Sequence, residues 1–246
     1  MTVACQSELA ALLEVGRTVR AVLDALRAAT VPGVTTGELD EICRDILQQR
    51  GARSAPHRAY GFPGHACISI NEEAVHGIPG ARVILPGDVV KIDVTAEQGG
   101  LIADAAETVL VPPAAPTPMA LAACARSAFE RAMEVARTGR PVNVIGAAIE
   151  AEVRRCGFFV IRELTGHGVG RRIHEAPTVA NFADPWATDV LQDGLVIAVE
   201  PIVTALPTRA LDLADGWTIA TADGGIAVHH EHTIVIRDGA PLIVTA

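Results

Sequence analysis

The chain has 246 residues, half of them hydrophobic and 20% charged, with a formal net charge of −9. That length buries a substantial core and that composition is a globular protein's, while a balance of −9 offers no positive field to a phosphate backbone and argues against nucleic acid as a partner. No apolar run approaches the roughly 18 residues of a membrane span.

Residues 8–29 place Leu9, Leu12, Val15, Val19, Val22 and Leu26 at helical spacing and predict an amphipathic helix. Glu8 and Glu14 sit among these apolar positions, and no charged-then-apolar leader is present. The five cysteines, Cys5, Cys43, Cys67, Cys124 and Cys156, are widely spaced and lack a C-x-x-C pair. They read as reduced thiols, and the chain is expected to be cytoplasmic. Gly33 opens a second helix, with Thr35 or Thr36 as N-cap and Gly51 as its stop. Lys91 is the only lysine, which together with heavy alanine usage reads as coding bias.

The helical pattern returns. Phe129 to Arg137 is helical, Gly139 breaks it, and Val144 to Arg155 runs on to Gly157; the glycines bracketing each second helix are shifted by 106 positions. Leu85–Val90 leads into Asp93, six residues beyond Gly87, and Leu191–Val196 leads into Glu200, six beyond Gly194; glycine and carboxylate are both shifted by 107. Two matched shifts predict a duplicated helix–helix–strand unit. The Pro-rich stretch 111–118 reads as the linker, since it fits neither a helix interior nor a central strand. The expectation is one catalytic domain over residues 1–246, with halves at about 8–111 and 119–246. Its fold class is α/β (α+β), an antiparallel-rich sheet backed by helices, with the site where the halves meet.

Asp93 ends the strand-like run Val89–Ile92, and Asp104 follows beyond a Gly99-Gly100 turn, so a hairpin would set the two carboxylates side by side. Without a cation two such buried groups repel; taken alone, the pair reads equally well as surface turn aspartates. Glu200 ends the apolar run Leu195–Val199, and Glu231 lies in the strand-like run Val228–Ile236. A glutamate at either place is costly to bury unless paired or metal-bound. His167 stands between Gly166 and Gly168, which would permit unusual backbone angles and close approach of a ligand. One imidazole with four carboxylates is an oxygen-rich set suited to Mn, Fe, Co or Zn, and five donors fit paired, carboxylate-bridged ions better than one. His76, in a segment that by itself is only a polar hairpin, is a further candidate for acid–base or hydrogen-bonding work. His229 and His230 are weighed as additional ligands and read instead as solvent-facing strand residues.

The motifs Asn71-Glu72-x-x-Val75-His76-Gly77-Ile78-Pro79, Gly87-Asp88-x-Val90-x-Ile92-Asp93-Val94, Gly166-His167-Gly168-x-Gly170-Arg171-x-x-His174-Glu175-x-Pro177, Glu200-Pro201, Gly216-Trp217-Thr218 and Glu231-His232-Thr233, with Asp104, cover nearly the whole chain. The set resembles type I methionine aminopeptidases of the pita-bread metallopeptidase group. The resemblance implies a pita-bread fold of two pseudo-symmetric halves, here the bare catalytic unit without the N-terminal zinc-binding extension of some members. It implies two divalent ions (Co, Mn, Fe or Zn) on Asp93, Asp104, His167, Glu200 and Glu231, bridged by Asp104 and Glu231. Glu200 would take the proton of the attacking water, His174 would stabilise the oxyanion, and His76 would contact the scissile amide nitrogen. The substrate's α-amine would bind near Asp93, which limits cleavage to one residue. Phe62, Cys67, Ile173 and Trp217 would line the pocket for the first side chain.

Ala59, Phe62, Ile173 and His230 depart from the family's usual aromatics, and Ala103 from its usual glycine; these point to a looser pocket. The resemblance also implies peptide and nascent-protein N-termini as partners, ribosome association and a monomer. The competing readings are a relative with altered first-residue specificity, prolyl-specific among them, and a non-catalytic pita-bread binding protein.

Overall fold

The first helical stretch forms as its spacing predicts. In the computed structural model, which describes residues 1–246, α1 (Gln6–Ala29) buries Leu12, Val15, Val19, Val22 and Leu26 on one face. Helix α2 (Thr36–Gln49) starts at a capping box: the Thr35 hydroxyl accepts from the Glu38 N–H at 3.1 Å, and the Glu38 carboxylate accepts from the Thr35 N–H at 2.8 Å. Thr35 is therefore the cap, and Thr36 Oγ1 instead donates to the Gly80 carbonyl.

A short strand β1 (Arg53–Ser54) and helix α3 (Ala55–Tyr60) lead to β2 (Cys67–Ile70) and β3 (Glu73–Val75). The long hairpin β4 (Val89–Gln98) and β5 (Leu101–Leu110) turns on Gly99 and Gly100, whose φ angles of 61° and 83° are those a two-residue turn requires. Helices α4 (Pro116–Val135) and α5 (Asn143–Arg155) follow. The remaining strands are β6 (Phe159–Val160), β7 (Gly166–Gly168), β8 (Glu175–Val179), β9 (Val196–Val199), β10 (Ile202–Thr204), β11 (Ala210–Asp212), β12 (Ile219–Thr221), β13 (Ala227–His229), β14 (Glu231–Val235) and β15 (Leu242–Ile243).

One expectation changes here. Pro116 and Pro118 are not linker but the first turn of α4, where the missing N–H groups have no intrahelical partner to lose. The connection shrinks to residues 111–115, and its first residue, Val111, is buried and donates its N–H to the Asp88 carbonyl at 2.9 Å. No helix is long and apolar enough to cross a membrane.

The main sheet runs β1-β4-β5-β14-β9-β7-β8, with β2 also on β4 and β15 on β14. Every recorded pairing in it is antiparallel. Its central order is symmetric: the β4–β5 hairpin of the first half meets the β9–β14 pair of the second across the β5–β14 contact. Strand alternation then separates two faces. Val90, Ile92, Val94 and Ala96 of β4 pack with Leu12, Val19 and Leu23 of α1 and Leu39 of α2 in one apolar cluster. Ile197, Val199 and Ile234 pack with Phe129 of α4 and Ile145 and Ile149 of α5 in a second. Asp93, Thr95 and Asp104 fall on the opposite face from the first helix pair.

Helices α4 and α5 are also joined through the buried carboxylate of Glu152, which bonds Ser127 of α4 and Arg155 of its own helix. Glu152 accepts from Ser127 Oγ at 2.5 Å and from Arg155 at 2.6 and 2.8 Å, and its side chain is 4% exposed. The hydrogen bonds from Arg155 and then Ser127 hold its carboxyl at about 2, against an ordinary 4.5. A carboxyl whose folded value lies below its unfolded one stabilises the fold above the unfolded value and loses that contribution as pH falls. Urea unfolding as a function of pH should therefore show the wild type losing stability between about pH 4.5 and 2. Glu152→Gln should be less stable at pH 7 and lose less stability across that window; equal slopes would contradict this account.

Candidate metal centre and cleft

The five sequence-predicted donors come from five neighbouring strands of one sheet. Asp93 lies on β4, Asp104 on β5, Glu231 on β14, Glu200 immediately after β9, and His167 on β7. Residues far apart in sequence meet because the strands do. Asp93 and Asp104 are not directly opposite: Asp93 faces Ala106 and Asp104 faces Thr95, so the two carboxylates are diagonal neighbours on one face.

Several contacts fix these side chains. Thr95 Oγ1 donates to Asp104 Oδ1 at 2.8 Å, and the Thr233 hydroxyl accepts from the Asp104 N–H and donates to its carbonyl, both at 2.8 Å. Asn181 Nδ2 donates to the Glu200 carbonyl at 2.9 Å. His167 Nδ1 is 2.9 Å from the Gly168 carbonyl, which can only accept, so Nδ1 carries the proton and Nε2 presents its lone pair. That Nε2 stands 3.6 Å from Glu200 Oε1.

The glycines around His167 act differently from expectation. Gly166 and Gly168 are not in left-handed conformations. A Cβ on Gly166 would come within 2.4 Å of the Ala198 carbonyl oxygen, and one on Gly168 within 2.2 Å of that of Ala176. They are there to let neighbouring backbones close in, and a register shift between His167 and Gly168 re-aims the imidazole.

All five donors line a cavity of about 880 Å³. The same cavity is lined by Phe62, Cys67, Ile173 and Trp217 and by His76 and His174. Phe62 and Trp217 meet edge to face, with ring centroids 5.3 Å apart. His76 follows β3 at φ 59°, in the left-handed region uncommon outside glycine. The His174 ring lies 4.4 Å from that of His167, and its Nδ1 is 2.9 Å from the Tyr60 hydroxyl. Sequence reasoning passed over Tyr60, because nothing local in it signals a partner 114 positions away.

The electrostatics call for a cation. No arginine or lysine pairs with Asp93, Asp104, Glu200 or Glu231. Burial, then the charge of Asp104, pushes the carboxyls of Asp93, Glu200 and Glu231 well above their ordinary values. Asp93 Oδ1 and Glu231 Oε1 are buried with no hydrogen-bond partner. Burial also lowers His76 and His174. Donor atoms of Asp104, His167 and Glu231 lie within 4.8 Å of one another, and so do those of Glu200, His229 and Glu231. Two overlapping groups of oxygen-rich donors, with orphaned oxygens inside them, fit divalent ions.

His229 and His230 are not solvent-facing. His229 is 2% exposed, and burial pushes its imidazole down to about 3. His230 is half-buried, stacked edge-on to Phe129 with centroids 5.4 Å apart. β13 is the edge strand of its three-stranded sheet, and α4 packs against it.

Residues 10–238 match the model of metallopeptidase family M24. Over its whole length the chain is 38% identical to methionine aminopeptidase 2 of Bacillus subtilis, covering 99% of that protein. It is 42% identical, again over its whole length, to a methionine aminopeptidase of Staphylococcus epidermidis, covering 98% of it. The structure of methionine aminopeptidase from Thermotoga maritima superposes with a TM-score of 0.95 at 34% identity, covering 100% of this chain and 99% of that one. Prolidase from Pyrococcus furiosus, at 20% identity and a TM-score of 0.79, covers all of this chain and 65% of that one, and shares the fold.

A divalent ion that binds only the folded state raises its stability by about 2.7 kcal/mol at 100 times its Kd. Adding Mn or Co to metal-free protein should thus raise the melting temperature by roughly 5–10 °C. Asp104→Asn should melt at or above the metal-free wild type, because one repelling charge is gone, yet lose most of the rise on adding metal. A wild type indifferent to metal in a thermal scan would refute the cation account.

Proposed function

This chain belongs to metallopeptidase family M24, and from that premise we infer that it removes N-terminal methionine from peptides and nascent proteins by metal-dependent hydrolysis. The observation that carries the reading is the meeting of five strand-borne donors with an apolar pocket in one cavity. Full-length identity to methionine aminopeptidases supports it.

Asp93, Asp104, His167, Glu200 and Glu231 would hold the ions. Bound divalent ions supply Lewis acidity, acidifying a water and polarising the scissile carbonyl. The chain's own groups do the rest. A Glu200 carboxylate oxygen takes the proton from the attacking water. If the Tyr60 hydroxyl donates to His174 Nδ1, the His174 proton lies on Nε2, ready to donate to the oxyanion. His76, held in its left-handed conformation, contacts the amide nitrogen. The α-amine is placed beside Asp93, so the site accepts chain ends only.

Cys67 faces Asp93 across the β2–β4 register, so the pocket wall adjoins the amine position directly. Phe62 and Ile173 are buried and Trp217 closes the side, giving an apolar slot suited to an unbranched thioether. The five donors come from one chain, so a monomer suffices for activity. Nascent chains leaving the ribosome are the matching substrate class. Neither a prolyl-specific peptidase nor a metal-free binding protein is favoured: the likeness to prolidase is one of fold, and the donor set is complete.

Methionine should be released from Met-Ala-Ser with added Mn or Co, and Ala-Pro peptides should be cut at least 100-fold more slowly. Asp104→Ala and His174→Ala should lower kcat by about 100-fold or more. Tyr60→Phe, which removes one hydrogen bond, should lower kcat roughly 3–10-fold with KM little changed. Amino-acid release measured by chromatography decides each; full activity in His174→Ala would remove that residue from the mechanism.

A further inference from the structure

His229 ends β13, opposite Ile202 of β10. The Thr108 hydroxyl accepts from its N–H at 2.9 Å and donates to its carbonyl at 2.8 Å, so the backbone on both sides of its Cα is fixed. Its side chain is 2% exposed, and neither ring nitrogen has a hydrogen-bond partner. A buried imidazole left idle at both nitrogens is unfavourable unless something absent from the protein alone completes it.

The distances say what that is. His229 Nε2 lies 3.7 Å from Glu200 Oε2 and 3.5 Å from Glu231 Oε2. Those separations are too long for hydrogen bonds. They match the spacing of two donors on one ion, since donors about 2.1 Å from a tetrahedral centre lie roughly 3.4 Å apart. The same spacing recurs on the other side of Glu200, where His167 Nε2 is 3.6 Å from Oε1. Each oxygen of Glu200 therefore has an imidazole beside it.

We propose that His229 is a sixth donor to the metal centre, its Nε2 joining Glu200 and Glu231 around one ion. Glu200, His229 and Glu231 form one of the two overlapping donor groups, and Asp104, His167 and Glu231 the other. His229 also lines the cavity of about 880 Å³ that holds the other five residues. A second imidazole shifts the site's preference towards Co, Zn or Fe and away from Mn. The proposal rests on the two-ion reading given above.

The test is Co(II) titration of the metal-free full chain by calorimetry and visible absorption, for wild type, His229→Gln and His230→Gln. Wild type and His230→Gln should bind two Co(II) with similar affinities. His229→Gln should bind one of the two at least 10-fold more weakly, with an altered spectrum, while the metal-free melting temperature does not fall. X-ray absorption of the Co(II)-loaded protein should count two imidazoles in wild type and one in the variant. Unchanged affinity and spectrum in His229→Gln would overturn the sixth donor and leave the two-ion reading intact. So would a fall in metal-free stability with both affinities reduced alike, which marks a purely structural residue. A wild type that binds no Co(II) would overturn the two-ion reading itself.

Discussion

Four carboxylates held close together in a cleft, without one arginine or lysine against them, set the terms for the rest of the molecule. Burying one unpaired carboxylate already costs several kcal/mol, and gathering four compounds this by mutual repulsion. The fold offsets that load with two large apolar clusters on the helix side of the sheet. The duplicated design spreads it as well: each half contributes one carboxylate from an inner strand and one from the strand beside it. Neither half alone assembles the site. The β5–β14 contact, which brings Glu231 opposite Ala106 and next to Asp104, is where the two halves become one chemical unit.

The same principle of fixing side chains through backbone appears around His76. Lys91 reads from sequence as an accident of coding, yet it is buried, with Nζ donating to the Asn71 carbonyl at 2.8 Å. Burial pushes its ammonium down to about 7. Asn71 itself sits at φ 57°, donates Nδ2 to Asp88 and accepts from the Val89 N–H, each at 2.9 Å. Its carbonyl also accepts from the Ala227 N–H. The turn before β3 is thereby tied to β4 and β13. His76, at the far end of β3, inherits a fixed position. A segment that reads as a polar hairpin is a bracket, and only the long-range bonds reveal it.

What was legible in the sequence was short-range or chemically expensive. The capping box at Thr35, the Gly99-Gly100 turn and the alternation along β4 depend on neighbours a few residues away. Asp93 and Glu200 stand out because apolar runs ending on an acid are costly. The misreadings have a shared cause. Pro116 and Pro118 read as linker because proline's effect depends on its position within a helix, and α4 starts further back than its periodicity indicates. Gly166 and Gly168 suggest unusual backbone angles, yet what they answer to is the close approach of Ala198 and Ala176, residues of adjacent strands. His229 and Tyr60 each depend on a residue of the other half, Thr108 and His174, and His230 on Phe129, about a hundred positions away. Nothing local reports them.

Placed in the structure, the pocket departures shrink in number. Ala59 is exposed and does not line the cavity, where Tyr60 stands instead. His230 packs against Phe129 on the helix side of the sheet, away from the cleft. Ala103 lies in the first apolar cluster, beneath α1. Phe62 and Ile173 are the departures that remain in contact with the cavity. Phe62 has no hydroxyl to offer a substrate, and its ring is committed to Trp217. Ile173 is anchored in the core at 4% exposure, so it cannot swing aside as a surface aromatic can. Selection at such a pocket works through shape and desolvation. An apolar slot distinguishes side chains by one methylene at about 1–3 kcal/mol, and rejects a charged one far more strongly because nothing in its wall can pair with it. The departures that remain at the cavity, Phe62 and Ile173, therefore offer a substrate apolar surface and no hydrogen bond.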